Sequence, residues 1–307
     1  MTAFPSPICI AGTVKKSENR RIIMRADLHY HTTLSNGSLG IEEVIAQAKR
    51  NKIDVLSITD HDTLASTSRA VILGQRYGIR VLPAVEISAV DGSRGRKVHI
   101  LCYMPHKPDR LEGLCLRTSE ARKKRGKEMA MKVIEEYPIA FENILRYAAG
   151  GKTIYKCHIM HALMDYGYTT ELYGDVYDKL FNAQTGLCAV EVRKETEHNP
   201  DVRFALELIR SAGGTAVIAH PKVYNSFELI EELAAQGKID GIEVYHESAD
   251  ETEEEQLLDL CQQYGLLPTG GSDFHGFYNH YAISLGYKFT PEQSVRAIIT
   301  RGENLNI

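Results

Sequence analysis

Short apolar runs ending in polar residues alternate along the chain with amphipathic stretches of helical period. The runs are Ile22–Leu28, Ile53–Thr59, Val81–Glu86, Val98–Tyr103, Thr215–His220, Gly241–Tyr245 and Leu266–Ser272. Helical spacing of apolar residues marks Ile41–Arg50, Thr67–Tyr77, Val202–Ala212, Ser226–Gln236 and Glu253–Tyr264. Runs too short for buried helices, separated by such stretches, predict a parallel sheet of βα units closed into an α/β barrel. Pro108 to about Val192 breaks the rhythm and reads as mostly helical. The expected organisation is an N-terminal extension (1–21), a barrel (22–107 and 193–307) and a helical insertion (108–192) over the barrel mouth. Basic residues between Arg110 and Glu136 suit either a solvated helix face or a substrate contact, and the acidic run Asp250–Glu255 suits a helix start.

The polar ends of the runs are chemically alike. They read Asp27-Leu28-His29-Tyr30-His31, Thr59-Asp60-His61-Asp62, Val85-Glu86, Val98-His99-Ile100, Ala219-His220-Pro221 and Gly271-Ser272-Asp273-Phe274-His275. Residues two apart in extended chain point to one side, so His29 and His31 can reach one ion. A lone His is usually a surface or satisfied core residue. Six strand ends carrying His, Asp or Glu are a different matter, because α/β barrels place their sites at that end. Gathering so many ionisable groups without a cation would be too costly, and a metal is the natural solution.

Composition narrows this little. The net charge of −4 over 307 residues exerts no global pull toward nucleic acid or membrane. Six cysteines without paired spacing read as reduced and structural. The N-terminus lacks the pattern of a signal peptide and no apolar run is long enough to span a bilayer, so a cytoplasmic location without membrane association is expected.

The segments DLHYHT, SITDHD, AVEIS, VHI, IAHP and GSDFH, in this order, resemble the motifs of the PHP (polymerase and histidinol phosphatase) family. The likeness covers about Arg25 to Gly286 and is greatest to the stand-alone phosphoesterase branch that includes the protein encoded beside tryptophan-biosynthesis genes. It implies a distorted seven-stranded (β/α) barrel with a helical insertion and two to three divalent ions (Mn, Fe or Zn). The ligands it implies are His29, His31, His61, Glu86, His99, His220, Asp273 and His275, with His61, Asp273 and His275 also serving catalysis. A further ligand is the Asp of an S-D-G segment. Here Ser35-Asn36-Gly37 stands instead, and Asn36 offers a neutral carbonyl oxygen without charge. Glu86 is the expected bridge between ions; Asp27 and Asp60 are expected to orient imidazoles. Tyr155-Lys156-Cys157-His158 resembles the family's S-R-T-H stretch, which implies that Lys156 and His158 contact substrate phosphate, and Arg193 is placed to reach a second phosphate.

Paired cations generate a nucleophile from water at neutral pH and offset charge at phosphorus. The expected activity is therefore hydrolysis of a small phosphorylated substrate: a nucleotide bisphosphate, a short oligonucleotide or a small cyclic phosphodiester. A histidinol-phosphatase-like monoesterase and an amide-hydrolysing metalloenzyme are the alternatives. The latter often carries a carbamylated Lys at a strand end, and no run here ends in Lys. A non-catalytic metal-stabilised module would not need eight ligand types. The sequence gives no protein partner.

Overall fold

The computed structural model describes residues 24–280, 283 and 285–304. The expected extension, 1–21, lies outside them, as does Cys9. Seven strands form one sheet in chain order: β1 (Ala26–Asp27), β2 (Val55–Ile58), β3 (Arg80–Asp91), β4 (Arg96–Tyr103), β5 (Thr215–Ile218), β6 (Gly241–Tyr245) and β7 (Leu267–Gly270). Its two edges meet just beyond β1, where Leu28 N–H donates to the Gly270 carbonyl at 3.4 Å and Tyr30 bridges Phe274 in parallel. The barrel is thus nearly closed. Leu28, Leu82, Leu101, Tyr103 and Val217 fill one apolar cluster of its core, each worth about 1.5–3 kcal/mol as buried area.

Helices α1 (Ile41–Arg50) and α2 (Thr67–Tyr77) separate the first three strands, at the bounds the periodicity predicts. After β5 come α9 (Pro221–Tyr224) and α10 (Phe227–Ala235), then α11 (Glu251–Tyr264) after β6 and α12 (Glu292–Asn304) at the end. The acidic run does start a helix: Asp250 caps α11 by accepting from Glu253 N–H at 2.9 Å. Between β4 and β5 lie α3 (Asp109–Glu136), α4 (Phe141–Tyr147), α5 (Lys156–Asp165), α6 (Asp175–Phe181), α7 (Ala189–Arg193) and α8 (Val202–Ser211). Helices α3 to α7 enclose an apolar cluster of their own around Met129, Ile144, Ile159 and Phe181.

One expectation fails. β4 runs antiparallel to both β3 and β5, so the sheet is mixed rather than parallel. The four-residue turn Gly92–Gly95 is too short for a parallel crossover and closes a hairpin. β3 accordingly runs five residues past Glu86, and His99 lies inside β4 rather than at its end. Both still reach the barrel mouth, because Ser88 pairs with His99 across the hairpin.

The helical stretch between β4 and β5 grips the loop that follows His31. A Cβ on Gly150 would stand 2.1 Å from the Thr33 carbonyl oxygen, and one on Gly151 2.2 Å from that of Leu34. Only glycine permits this approach. We expect Gly150→Ala to lower stability by about 1–3 kcal/mol through overpacking, read as a shift in urea midpoint; an unchanged midpoint would show that the loop yields freely.

Candidate metal centre

The strand ends bring the donors together as extended-chain alternation requires. Tyr30 points away into the core and stacks on Phe274 at 5.0 Å, leaving His29 and His31 side by side with ring centroids 5.3 Å apart. Glu86 is the hub. Its Oε2 lies 3.3, 3.1 and 3.1 Å from His29 Nε2, His31 Nε2 and His61 Nδ1, and its Oε1 lies 2.8 and 2.9 Å from His99 Nδ1 and His220 Nε2. Asp273 Oδ1 approaches His29 Nε2 and His31 Nε2 at 3.2 and 3.1 Å. His275 stacks on His31 at 4.2 Å. All eight expected donors therefore meet in one place.

The orientation of these groups shows what they suit. Glu86 Oε2, Asp273 Oδ1, His61 Nδ1 and Asn36 Oδ1 are buried yet hydrogen-bonded to nothing, although several are close to one another. These buried atoms face common points without a hydrogen bond of their own. Four triplets have ligating atoms within 4.8 Å of one another: His31/His61/His275, His29/Glu86/His220, His29/His31/Asp273 and His61/Glu86/His99. Imidazole with carboxylate is a borderline donor set that fits Mn, Fe or Zn. The residues present fit a divalent metal centre.

Groups behind the donors fix their tautomers. His29 Nδ1 pairs with Glu243 Oε1 at 2.8 Å, and Glu243 Oε2 accepts from His220 N–H at 2.8 Å. Ser35 donates to Asp60 at 2.6 Å and so can accept from His31 Nδ1 at 3.2 Å. His275 Nδ1 donates to the Asp273 carbonyl at 2.7 Å. Each arrangement aims an Nε2 lone pair inward. Asp60 acts on His31 only through Ser35, and Asp27 touches no imidazole, contrary to expectation. Asp27 accepts from the backbone of Ser272 and Gly286, while Asp60 binds Thr32 and Ser35, so both hold the ligand-bearing loops.

Sequence reading missed two residues. Glu243 lies mid-strand in an apolar run, and only the barrel's closure brings it behind His29. His246 is buried beside Asp273: Ser248 N–H donates to its Nδ1 at 3.1 Å, so Nε2 carries the proton toward Asp273 Oδ2, 3.4 Å away. Its place directly after β6 was the available signal.

Charge separates the imidazoles. Burial disfavours protonation of His29 and His31, but carboxylates outweigh it: Glu243 and Asp273 hold His29 well above its ordinary value, and Asp273 with Glu86 push His31 up to about 9. Burial opposes ionisation of Glu86 and Asp273 too, yet the surrounding imidazoles hold both well below the usual carboxylate range. His275 goes the other way, lowered to about 3 by burial and by His31. Burial likewise leads the lowering of His61.

Two cavities open beside the donors. One, of about 360 Å³, is lined by Asn36, His61, His99, His220, Asp273 and His275 among others. The second, of about 290 Å³, shares Asn36, His61 and His99 and adds Lys97, Arg122, Arg125 and Lys156 against one carboxylate, Glu195. Arg122 is tied to Asp62 at 2.6 Å and to Ser88 at 2.7 Å, which gives Asp62 its partner. Lys156 pairs with Glu195 at 2.5 Å. Two expected phosphate contacts lie elsewhere. His158 is buried at the start of α5, where its Nδ1 accepts from Tyr155 N–H at 3.2 Å, and it lines neither cavity. Arg193 is exposed and donates to the Ala183 carbonyl at 2.6 Å, because α7 turns it away from the barrel. Arg122 and Arg125, on α3, line the basic cavity instead.

Fold and donor set together define a metal-dependent hydrolase on a seven-stranded α/β barrel. The chain belongs to the PHP domain family, whose pattern matches residues 27–192. Over 255 residues it is 34% identical to the phosphoribosyl 1,2-cyclic phosphate 1,2-diphosphodiesterase of Eggerthella lenta, covering 82% of this chain and 95% of that protein. Over 265 residues it is 32% identical to the 5′-3′ exoribonuclease Rnm of Escherichia coli, covering 81% and 84%. A solved structure from Bifidobacterium adolescentis, assigned as a metal-dependent phosphoesterase, superposes with a TM-score of 0.76 at 28% identity, covering 91% of this chain and 96% of that one. No helix among the described residues is long and apolar enough to cross a membrane.

Proposed function

We propose that this metal-dependent phosphoesterase hydrolyses a small phosphate ester that carries a second phosphate: a nucleotide-like bisphosphate, a small cyclic phosphodiester, or the terminal nucleotide of a short oligonucleotide. The observation that carries this reading is Glu86, whose two oxygens face two separate groups of imidazoles, beside a cavity lined by four cations. The reading places the chain in the stand-alone branch of the family, with 108–192 as an insertion unit over the site.

His29, His31, His61, Glu86, His99, His220, Asp273 and His275 would hold two ions firmly, and Asn36 would contribute to a third, weaker position. Mn, Fe and Zn suit this donor set equally. When bound, such ions activate water and offset charge developing at phosphorus. His61 and His275 line the cavity as neutral imidazoles, the form in which each would hold an ion beside the reacting group. Asp273, fixed by His246, orients the same space. Lys156, Arg122 and Arg125 hold the second phosphate; Arg122, whose Nη2 is spent on Asp62 and Ser88, does so through its buried, unpartnered Nη1, and Lys156 as a point charge.

The test is elemental analysis after loading with Mn, followed by assay of adenosine 3′,5′-bisphosphate, a short oligonucleotide and a small cyclic phosphodiester. Turnover of at least one is expected; a loaded protein that hydrolyses none refutes the proposal. Asn36→Asp should add charge at the third position and raise metal content. Unchanged stoichiometry would mean that Asn36 does not limit it.

A further inference from the structure

We infer that the groove on the outer side of α3 binds a single-stranded nucleic acid whose terminal ester lies at the metal centre. The inference rests on the function proposed above, because the groove lies against the basic cavity beside that site. It is a space of about 900 Å³ between α3 and the segment 194–204, and no metal-ligating residue lines it. Arg125 and Asn199 line both this groove and the basic cavity. They form a shared wall, pinned where Arg125 Nη1 donates to the Lys194 carbonyl at 3.3 Å.

The lining has the chemistry of a strand-binding tract. Arg117, Lys124 and Lys194 are exposed and form no ion pair among the described residues. Arg117 and Lys124 are two helical turns apart, about 10 Å along the axis, so they can meet successive phosphates rather than one. Phe204 is 45% exposed in the same groove, a large apolar face available for base stacking. Glu120, Glu128 and Glu197 also line the groove, so four cations stand against three carboxylates, of which Glu120 pairs with Lys123 at 3.4 Å. An acidic peptide could satisfy the cations, but it has no phosphate ester to present to the metal centre at the inner end. A single-stranded polynucleotide satisfies both ends.

The test is binding of a fluorescein-labelled, single-stranded hexaribonucleotide with phosphorothioate linkages to the full Mn-loaded chain, read by anisotropy. Lys124→Glu combined with Lys194→Glu should weaken binding at least tenfold and flatten the salt dependence by about 1.4 in log–log slope, for two lost phosphate contacts. The same variant should retain its turnover of adenosine 3′,5′-bisphosphate, which also shows that it folds. Failure of the wild type to bind the hexamer, equal binding by the variant, or equal competition by a hexaglutamate peptide would each overturn the inference. If the hexamer binds through the groove while no phosphate ester is hydrolysed, the groove stands and the proposed function falls.

Discussion

Glu86→Gln is expected to strip the protein of most of its metal and lower turnover by about a thousandfold or more, a loss of several kcal/mol of transition-state stabilisation. The side chain changes by one atom and keeps its volume, so the effect isolates charge. Glu86 is fully buried and within 3.3 Å of five imidazoles. Neutralising it removes the anion that all five face and leaves mostly neutral donors to offset the charge of a divalent ion. Elemental analysis and phosphate release measure the two losses. A variant that keeps its full metal content would show that Glu86 is not the hub. Retained turnover with lost metal would place the chemistry on another group.

Chelation should lower the melting temperature by about 8–16 °C. A ligand present at a thousand times its dissociation constant stabilises the fold by about 4 kcal/mol, and in a chain of this size each kcal/mol moves the midpoint by about 2–4 °C. The gap should also depend on pH. In the chelated chain His31 is raised from 6.5 to about 9, burial being outweighed by Asp273 and Glu86. Its contribution to stability is complete below pH 6.5 and is lost as pH climbs through about 9. A metal occupying the same lone pair replaces that proton, so loaded protein escapes the loss. The difference between loaded and chelated midpoints should therefore widen between pH 6.5 and 9. Scanning calorimetry on both forms decides this, and a gap that narrows with pH would contradict the charge pattern assigned to His31.

Much of this architecture is legible in the chain. Alternating apolar runs and helical periods place α1, α2 and β6 at their observed bounds, because local pattern fixes local structure when nothing non-local opposes it. The H-x-H at 29–31 and D-F-H at 273–275 are likewise local, since a two-residue repeat in extended chain is enough to put both donors on one side. The direction of β4 is not local. A run of apolar residues reads the same whether the strand goes up or down, and only the Gly92–Gly95 hairpin and the pairing on either side decide it.

The groups behind the ligands follow the same division. Donor types at strand ends announce a metal site because their cost when gathered is a property of the side chains themselves. Glu243 and His29 are 214 positions apart, and only closure of the barrel makes them partners. Arg122 and Arg125 sit in a basic run that the sequence leaves undecided between solvent and substrate. The packing of α3 against the barrel turns those two inward while Lys123 and Lys124 stay exposed. Arg193 goes the other way on α7. The sequence by itself determined the donor types, the barrel and the helical stretch between β4 and β5, because each is written in residues close together along the chain. The tertiary structure alone decided β4's direction, the carboxylates behind the imidazoles and the cations that line the cavity beside them, because each depends on contacts between residues far apart in it.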